Sequence, residues 1–188
     1  GDLSIEKSIG YTDHALRKFF ETAKKMPWFN NSLFVLCADH TGVSWDEFYT
    51  NKVGNSTIPI IYYTPNGQLK GSDPVITQQI DIMPSILDYL NYPKPYFAFG
   101  TSVFDTTAVH YALSFNSDVF QFILNNYSLE FNGSKTTGLY NFTNDSLLKN
   151  NLIENEFIMS IFGKKKMNEQ DYNNENVNEE PIEGEIPF

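Results

Sequence analysis

The fold of this chain is decided by residues 33–40, Leu33-Phe34-Val35-Leu36-Cys37-Ala38-Asp39-His40, where an apolar run ends in two polar side chains. The run has the length of a β-strand and shows no polar alternation. This is typical of a strand buried on both faces, as in a parallel sheet covered by helices. Because Asp39 and His40 follow the run directly, the sequence predicts them at the carboxyl end of a strand, where open α/β sheets bind their ligands.

Helical and extended patterns flank this strand on both sides. Apolar residues recur at three- and four-residue spacing after Thr12, which predicts a helix with Thr12 as its N-cap. Residues 58–63 predict a second strand that ends at the turn Pro65-Asn66-Gly67. Asp81 can cap a further helix, which tolerates Pro84 in its first turn. Helix, strand, strand and helix in this order indicate an α/β fold.

Beyond Gly100 the pattern changes to short strands at close spacing, which predicts an antiparallel β meander. Its four strands are expected at residues 109–115, 119–124, 127–131 and 136–142. Asn132-Gly133, between the last two strands, is typical of a type I′ hairpin turn. One apolar stripe that starts at Asn144 or Asp145 and stops at Gly163 predicts a final helix.

Composition limits the classes of function. The chain has 188 residues, 41% of them hydrophobic, so one globular unit with a core is expected. Its formal net charge of -10 argues against binding to nucleic acid, which requires clustered Lys and Arg. Residues 168–188 are acidic and contain no Lys or Arg, which is typical of a flexible tail, with partner binding as the alternative.

Asp39 and His40 are the candidate metal ligands. A carboxylate oxygen and an imidazole nitrogen suit Zn²⁺ or Mn²⁺. Such ions take about four to six ligands, so the pair alone is also compatible with a capping Asp beside an exposed His. Thr41 could reach the same pocket and bind substrate, with a turn-forming hydroxyl as the alternative.

The other reactive or aromatic residues have ordinary explanations. Cys37 is the single cysteine, and its place in the apolar run predicts a buried thiol. His14 and His110 are expected to be surface or hydrogen-bonded histidines. The aromatic residues of one loop are expected to form core beneath it, with sugar stacking as the alternative: Tyr92, Tyr96, Phe97 and Phe99.

Five blocks of the sequence resemble, in the same order, the lipoteichoic-acid-synthase-like sulfatases of the alkaline-phosphatase superfamily. They are Tyr11-Thr12-Asp13-His14-Ala15-Leu16-Arg17-Lys18-Phe19-Phe20, Leu33-Phe34-Val35-Leu36-Cys37-Ala38-Asp39-His40-Thr41, Ile58-Pro59-Ile60-Ile61-Tyr62-Tyr63-Thr64-Pro65, Gln79-Ile80-Asp81-Ile82-Met83-Pro84-Ser85-Ile86-Leu87 and Pro95-Tyr96-Phe97-Ala98-Phe99-Gly100. The resemblance covers residues 11–104 and is loose after residue 143.

The resemblance implies a domain organisation. Residues 1–106 would form the C-terminal half of a sulfatase-like α/β catalytic domain, with a partial alkaline-phosphatase-like sheet covered by helices. Residues 107–163 would form the small antiparallel β subdomain with its C-terminal helix. Residues 164–188 would be an acidic, flexible tail.

The resemblance also implies metal-dependent chemistry. In that family the Asp-His pair after this strand ligates a divalent metal, so Asp39 and His40 are expected to bind Mn²⁺, Mg²⁺, Ca²⁺ or Zn²⁺. The family's Thr, Ser or formylglycine nucleophile and an acidic ligand lie upstream of Tyr11, so the chain is expected to be a fragment without a catalytic residue, inactive when isolated. Cys37 lacks the formylglycine signal, because Asp39 stands where that signal has Pro.

The expected substrate of the complete enzyme is a phosphate or sulfate ester, such as a lipid-linked phosphoglycerol or a sulfated glycan. The better match to lipoteichoic-acid-synthase-like blocks favours phosphoryl transfer. The parent is expected to be membrane-anchored, with this part at the extracytoplasmic face of a bacterial membrane or in the periplasm, and its partner is the N-terminal half of the same protein.

Two other functions compete with this one. The first is a non-catalytic binding or accessory domain in which the Asp39-His40 pair is a relic metal site. The second is a nucleotide-binding α/β domain, which the sequence disfavours because it contains no G-x-G-x-x-G or G-x-x-x-x-G-K-[ST] pattern.

Overall fold

Helix α1, Ser4–Ala23, opens the part of the chain that the computed structural model describes, residues 4–116 and 118–154. The other described helices are α2, Glu47–Thr50, and α3, Ile82–Tyr89, with 3₁₀ turns at Phe29–Asn31, Gly54–Ser56 and Gln79–Asp81. The strands are β1 Phe34–Cys37, β2 Ile60–Tyr63, β3 Tyr111–Asn116, β4 Val119–Leu124, β5 Tyr127–Phe131 and β6 Thr136–Asn141. The chain is therefore α/β with two antiparallel sheets, one formed by β1 and β2 and one in the order β3-β4-β5-β6.

The chain divides into two compact units. In the described residues the first unit contains 4–114 and 123–125, and the second contains 115, 116, 118–122 and 126–154. Helix α1, the two-stranded sheet and α3 belong to the first unit, as do all the predicted site residues. None of the helices in the described residues combines the length and the apolarity needed to cross a membrane.

Helix α1 begins earlier than the sequence pattern predicts. Thr12 is not its N-cap, because the Thr12 hydroxyl donates to the carbonyl of Ser8 at 3.0 Å inside the helix. A threonine inside a helix can donate its hydroxyl to a carbonyl one turn back, and a threonine at the N-cap can bond the first turn. The sequence alone therefore does not distinguish an interior threonine from an N-cap threonine. The helix ends at Ala23, just before Lys24 and Lys25.

Strands β1 and β2 pair in antiparallel register, with Phe34 opposite Tyr63 and Cys37 opposite Ile60. The expectation of a parallel sheet is therefore wrong for these strands, because an apolar run reports burial and not strand direction. The two strands are joined by residues 38–59, which contain α2 and one 3₁₀ turn.

Strand β1 is also less buried than its apolar sequence predicts. Its first three residues are half-buried, and Cys37 is exposed. The prediction of a buried Cys37 thiol is wrong because Cys37 ends a two-stranded sheet, where its Sγ–H donates to the carbonyl of Ala38 at 3.1 Å.

Phe34 lies at the centre of a partly buried aromatic cluster in the first unit, in which Phe19 and Trp28 are 50% and 47% exposed. Its ring centroid is between 5.2 and 6.3 Å from those of five other rings, namely Phe19, Phe20, Trp28, Phe29 and Tyr63. Aromatic pairs at such separations contribute about 0.5–1.5 kcal/mol each beyond the area that they bury. This cluster packs α1 against the β1–β2 sheet, whose strand β1 leads to Asp39.

The start of α3 is tied to the loop that follows the helix. Asp81 precedes α3 and Pro84 lies in its first turn, both as predicted. The Asp81 carboxylate nevertheless caps no N–H of α3. Its Oδ2 accepts from the N–H of Gln78 and its Oδ1 from the N–H of Thr101, each at 2.8 Å.

The described strands agree with the predicted meander to within two residues at each end. The connection between β5 and β6 lies at Asn132-Gly133, but it spans residues 132–135 and is not a type I′ turn. Such a turn needs a positive φ at both central residues, and here Gly133 has one (91°) whereas Asn132 does not. The Asn132 Oδ1 instead accepts from the N–H of Ser134 at 3.1 Å and of Lys135 at 2.9 Å.

The predicted final helix is absent from its described part, residues 144–154, which form turns and extended chain. Asn151 Oδ1 accepts from the N–H of Leu139 at 3.1 Å, and the N–H of Leu152 donates to the carbonyl of Leu139 at 2.7 Å. This segment therefore bonds to β6 and does not form helical turns. Asn and Asp side chains favour such non-helical conformations because they compete for backbone hydrogen-bonding groups. Residues 155–163 and the predicted tail, 164–188, lie outside the described residues.

The aromatic loop that follows α3 is not buried. Phe97 is 77% exposed and Phe99 is 80% exposed, with their ring centroids 5.0 Å apart in an edge-to-face arrangement. Tyr92 and Tyr96 are 44% and 47% exposed. The prediction of core beneath the loop is therefore wrong, because no layer in the described residues covers these rings.

Candidate metal centre

The turn that follows β1 carries the three predicted site residues, Asp39, His40 and Thr41. The N–H of Ala38 donates to the carbonyl of Pro59 at 3.3 Å and extends the β1–β2 ladder by one step. The Thr41 hydroxyl donates to the carbonyl of Asn55 at 2.7 Å, a bond between residues 14 positions apart and not one that forms a local turn. Substrate binding by Thr41 stays a prediction.

The side chains of Asp39 and His40 lie next to each other at the surface. The N–H of His40 donates to Asp39 Oδ1 at 3.0 Å, which folds the carboxylate back over the peptide. Asp39 Oδ2 then lies 3.5 Å from His40 Nε2, and the two side chains are 88% and 78% exposed. Because water screens such an exposed pair, its own contribution to stability is small.

A hydrogen bond fixes the tautomer of His40. Its Nδ1 lies 2.7 Å from the carbonyl oxygen of Thr41. A carbonyl can only accept, so Nδ1 carries the proton when the ring is neutral and Nε2 presents its lone pair. Metal-binding histidines commonly use this arrangement, in which one ring nitrogen donates to a carbonyl and the other ligates. In the neutral ring, the atom beside Asp39 Oδ2 is therefore the unprotonated Nε2.

The separation of these two atoms fits one metal ion. A tetrahedral ion with metal–oxygen and metal–nitrogen distances of about 2.0–2.2 Å requires donors about 3.4 Å apart. Asp39 Oδ2 and His40 Nε2 are 3.5 Å apart. Residues 4–116 and 118–154 contain no group of three or more His, Cys, Asp or Glu side chains that could hold a metal. In the described chain the pair therefore offers two ligands, and a full centre needs others.

The conformation of the turn, and not the dipeptide itself, creates this arrangement. The chain contains the same dipeptide at Asp13-His14, inside α1. Consecutive helical residues do not face each other, and Asp13 Oδ2 is engaged by Arg17 Nη2 at 3.1 Å. His14 is exposed, as predicted. Asp13-His14 is thus a matched internal control for Asp39-His40.

Gln79 is a contact of this turn that the sequence pattern did not reveal. Its Nε2 donates to the carbonyls of Ala38 at 2.9 Å and Asp39 at 3.1 Å, and lies 3.9 Å from Cys37 Sγ. Gln79 begins one of the blocks of the sulfatase resemblance, which marks the segment but not its partner. A contact between residues 40 positions apart leaves no periodic signal.

A buried polar group lies between β2 and α3. Burial raises the pKa of the Tyr62 hydroxyl, the neighbouring Ser85 hydroxyl opposes this rise, and the charges of Asp81 and Cys37 add to it. The Ser85 hydroxyl donates to the carbonyl of Asp81 at 2.6 Å and accepts from the N–H of Val103 at 3.0 Å. The Tyr62 hydroxyl itself has no partner in hydrogen-bonding geometry among the described residues. The Tyr62 hydroxyl oxygen is buried although the residue as a whole is half-buried, so this group is separated from the exposed Asp39-His40 pair.

A surface cavity of about 650 Å³ lies beside α3 and does not include Asp39 or His40. Asp88, Tyr96 and Asp105 are among its lining residues. The Thr107 hydroxyl, followed by the Thr107 N–H, lowers the pKa of Asp105. His110 bonds the carbonyl of Asp105 through Nε2 at 2.9 Å, while its buried Nδ1 has no partner among the described residues. His110 is thus hydrogen-bonded, as predicted.

Comparison with known proteins identifies relatives for the part of the chain that contains the site. Residues 4–92 match the family model described as Sulfatase. The chain is 27% identical over 106 residues to the arylsulfatase of Clostridium perfringens (strain 13 / Type A), an alignment that covers 52% of this chain and 22% of that protein.

A second relative carries a different name. The chain is 27% identical over 120 residues to lipoteichoic acid synthase 1 of Bacillus subtilis (strain 168), which covers 55% of this chain and 19% of that protein. The chain thus spans about a fifth of the length of both relatives.

Proposed function

Residues 4–92 are a sulfatase-family segment, and from this premise we propose that Asp39 and His40 supply two ligands to the divalent-metal centre of a sulfatase-family enzyme. The observation that carries the proposal is the pairing of Asp39 Oδ2 with His40 Nε2 at 3.5 Å, together with the bond from His40 Nδ1 to the Thr41 carbonyl. The pair has the donor types, the spacing and the tautomer that one ion requires.

The charges of the pair suit a divalent cation. Asp39 contributes a negative charge, and neutral His40 contributes a lone pair without adding a positive charge that would repel the ion. A divalent ion of this kind neutralises charge on a phosphate or sulfate ester. Asp39 and His40 bind and orient, while the hydroxyl of Thr41 holds the turn on Asn55. We assign no nucleophile to this chain and expect it from the N-terminal half of the same domain.

The proposed substrate is a phosphate or sulfate ester. One relative is named an arylsulfatase and the other a lipoteichoic acid synthase, so the names support ester chemistry at sulfur or phosphorus without choosing between them. A lipid-linked phosphoglycerol and a sulfated glycan are the corresponding proposals. With either substrate, we propose that the enzyme acts outside the cytoplasm and that its parent protein is anchored in the membrane. Other parts of the parent would complete an alkaline-phosphatase-like sheet.

A non-catalytic accessory role is the competing proposal. The observation in its favour is that the described residues offer no third metal ligand beside Asp39 and His40. Under this alternative the turn is a relic whose shape is retained for packing. The two proposals differ in one measurable property, because only the first requires the pair to bind an ion.

A calorimetric Mn²⁺ titration of this chain tests the proposal. We expect one saturable site whose affinity falls at least about tenfold in Asp39→Ala and in His40→Ala, since each removes one of two protein ligands. Asp13→Ala and His14→Ala are the matched controls, and they should bind as the wild type does. A wild-type chain that binds Mn²⁺ no better than the Asp39→Ala variant would contradict the proposal and favour the accessory role.

A further inference from the structure

Gln79 lies 40 residues from Asp39 in sequence and bonds to the same turn in three dimensions. Its Nε2 donates to the carbonyls of Ala38 at 2.9 Å and Asp39 at 3.1 Å. We propose that Gln79 is a positioning residue of the metal centre, an inference that rests on the proposed function. It touches the backbone beside the ligands and acts by fixing where their side chains lie.

The turn depends on such an anchor because it lies beyond the end of the sheet. Strand β1 ends at Cys37, and the ladder continues only through the N–H of Ala38. Asp39 and His40 are 88% and 78% exposed, so their side chains gain little from packing. The turn is held from one end by Gln79 and from the other by the bond of Thr41 to Asn55.

The anchor works because both carbonyls converge on one nitrogen. For the carbonyls of Ala38 and Asp39 to meet at Gln79 Nε2, the peptide between them must keep a narrow range of orientations. That peptide sets the direction of the Asp39 Cα–Cβ bond, and the Asp39 carbonyl group leads directly to the His40 nitrogen. Without the amide the pair can leave the 3.5 Å arrangement that suits one ion.

The side chain of Gln79 is exposed, and the segment that carries it is bonded to the rest of the first unit. It begins the 3₁₀ turn Gln79–Asp81, and the preceding Gln78 bonds twice to other parts of the first unit. The N–H of Gln78 donates to Asp81 Oδ2 at 2.8 Å, and Gln78 Oε1 accepts from the N–H of Leu113 at 3.0 Å. Asp81 is 3% exposed. Through Gln79, the turn after β1 is therefore bonded to the segment at the buried start of α3 as well as to its own strand.

The test is Gln79→Leu, which keeps the approximate size of the side chain and removes its donor. Gln68→Leu is the matched control, since the Gln68 amide accepts from the Tyr89 hydroxyl and does not contact the turn. Mn²⁺ is added to the full chain, and broadening of the imidazole resonances of His14, His40 and His110 reports where the ion binds. Thermal unfolding of each variant is measured in parallel.

In the wild type we expect Mn²⁺ to broaden the His40 resonances selectively. In Gln79→Leu the apparent affinity for Mn²⁺ should weaken about tenfold, as for other residues that orient metal ligands. In Gln68→Leu the affinity should be unchanged. In metal-free protein the Nδ1 proton signal of His40 should also weaken in Gln79→Leu. Selective broadening that survives in Asp39→Ala would overturn the proposed function. If Asp39→Ala loses the broadening but folded Gln79→Leu binds Mn²⁺ with wild-type affinity, the inference about Gln79 is overturned and the proposed function is not. The same holds if Gln79→Leu lowers only the unfolding temperature of the chain.

Discussion

The replacement of Asp81 by alanine tests the architecture that holds the site. The Asp81 carboxylate is 3% exposed and accepts two backbone N–H groups, from Gln78 and Thr101, each at 2.8 Å. An unsatisfied buried donor costs about 1–3 kcal/mol, so these two part-buried N–H groups together cost at most about 2–6 kcal/mol. Removing a buried carboxylate also relieves its own desolvation, which favours the lower half of that range. We expect Asp81→Ala to lower the free energy of unfolding by about 3 kcal/mol.

The assay is urea unfolding followed by circular dichroism, with the midpoint and slope fitted for each variant. Asp81→Asn keeps one acceptor oxygen and should lose about half as much. Asp73→Ala is the matched control, because Asp73 accepts from the N–H of Val75 at 3.0 Å at an exposed position. That change should stay within about 0.5 kcal/mol of the wild type. If Asp81→Ala is no more destabilising than Asp73→Ala, the carboxylate does not tie α3 to the following loop, and the anchoring of Gln79 fails with it.

Three further changes probe backbone packing and the buried tyrosine. Gly100→Ala would place a Cβ 2.2 Å from the carbonyl oxygen of Ile80, so we expect a loss of about 2–3 kcal/mol in chemical unfolding. Gly10→Ala meets nothing within 4 Å inside α1 and should stabilise the chain by about 0.5–1 kcal/mol; destabilisation there would mean that α1 is not helical at this point. Tyr62→Phe removes an unpartnered hydroxyl and should leave stability at neutral pH within about 1 kcal/mol of the wild type. Because the pKa of Tyr62 in the folded protein is raised above 10.0, the wild type should lose stability relative to Tyr62→Phe only as the pH rises above that value. Unfolding of both proteins at paired pH values, with the ultraviolet absorbance of tyrosinate, measures this loss. Equal pH dependence of the two proteins would refute the prediction.

The sequence was sufficient to find most elements because their patterns are local. The meander strands were predicted from short strand-like segments at close spacing with a turn signal between them, and the observed β4 and β5 have the predicted bounds, Val119–Leu124 and Tyr127–Phe131. Strand direction was not predictable, since the apolar residues of β1 are compatible with either sheet type. The final helix was predicted from an apolar stripe with Asn144 or Asp145 at its start and Gly163 at its end, and in its described part the Asn and Asp side chains bond the backbone instead.

The candidate site was predictable in part for a related reason. Asp39 and His40 stand next to each other after a strand, so their proximity follows from the sequence. Their exposure, the tautomer of His40 and the contact with Gln79 depend on how the turn folds and on a segment 40 residues away. The same dipeptide at Asp13-His14 shows that adjacency alone does not create the arrangement.

The most direct test of the account is an anomalous diffraction experiment on crystals of this chain soaked with Mn²⁺. We expect an anomalous peak within coordination distance, about 2.0–2.3 Å, of both Asp39 Oδ2 and His40 Nε2, with waters or other ligands in the remaining positions. A peak at other side chains, or none at Asp39 and His40 when the soaked ion is visible elsewhere, would contradict the claim that this pair holds the metal.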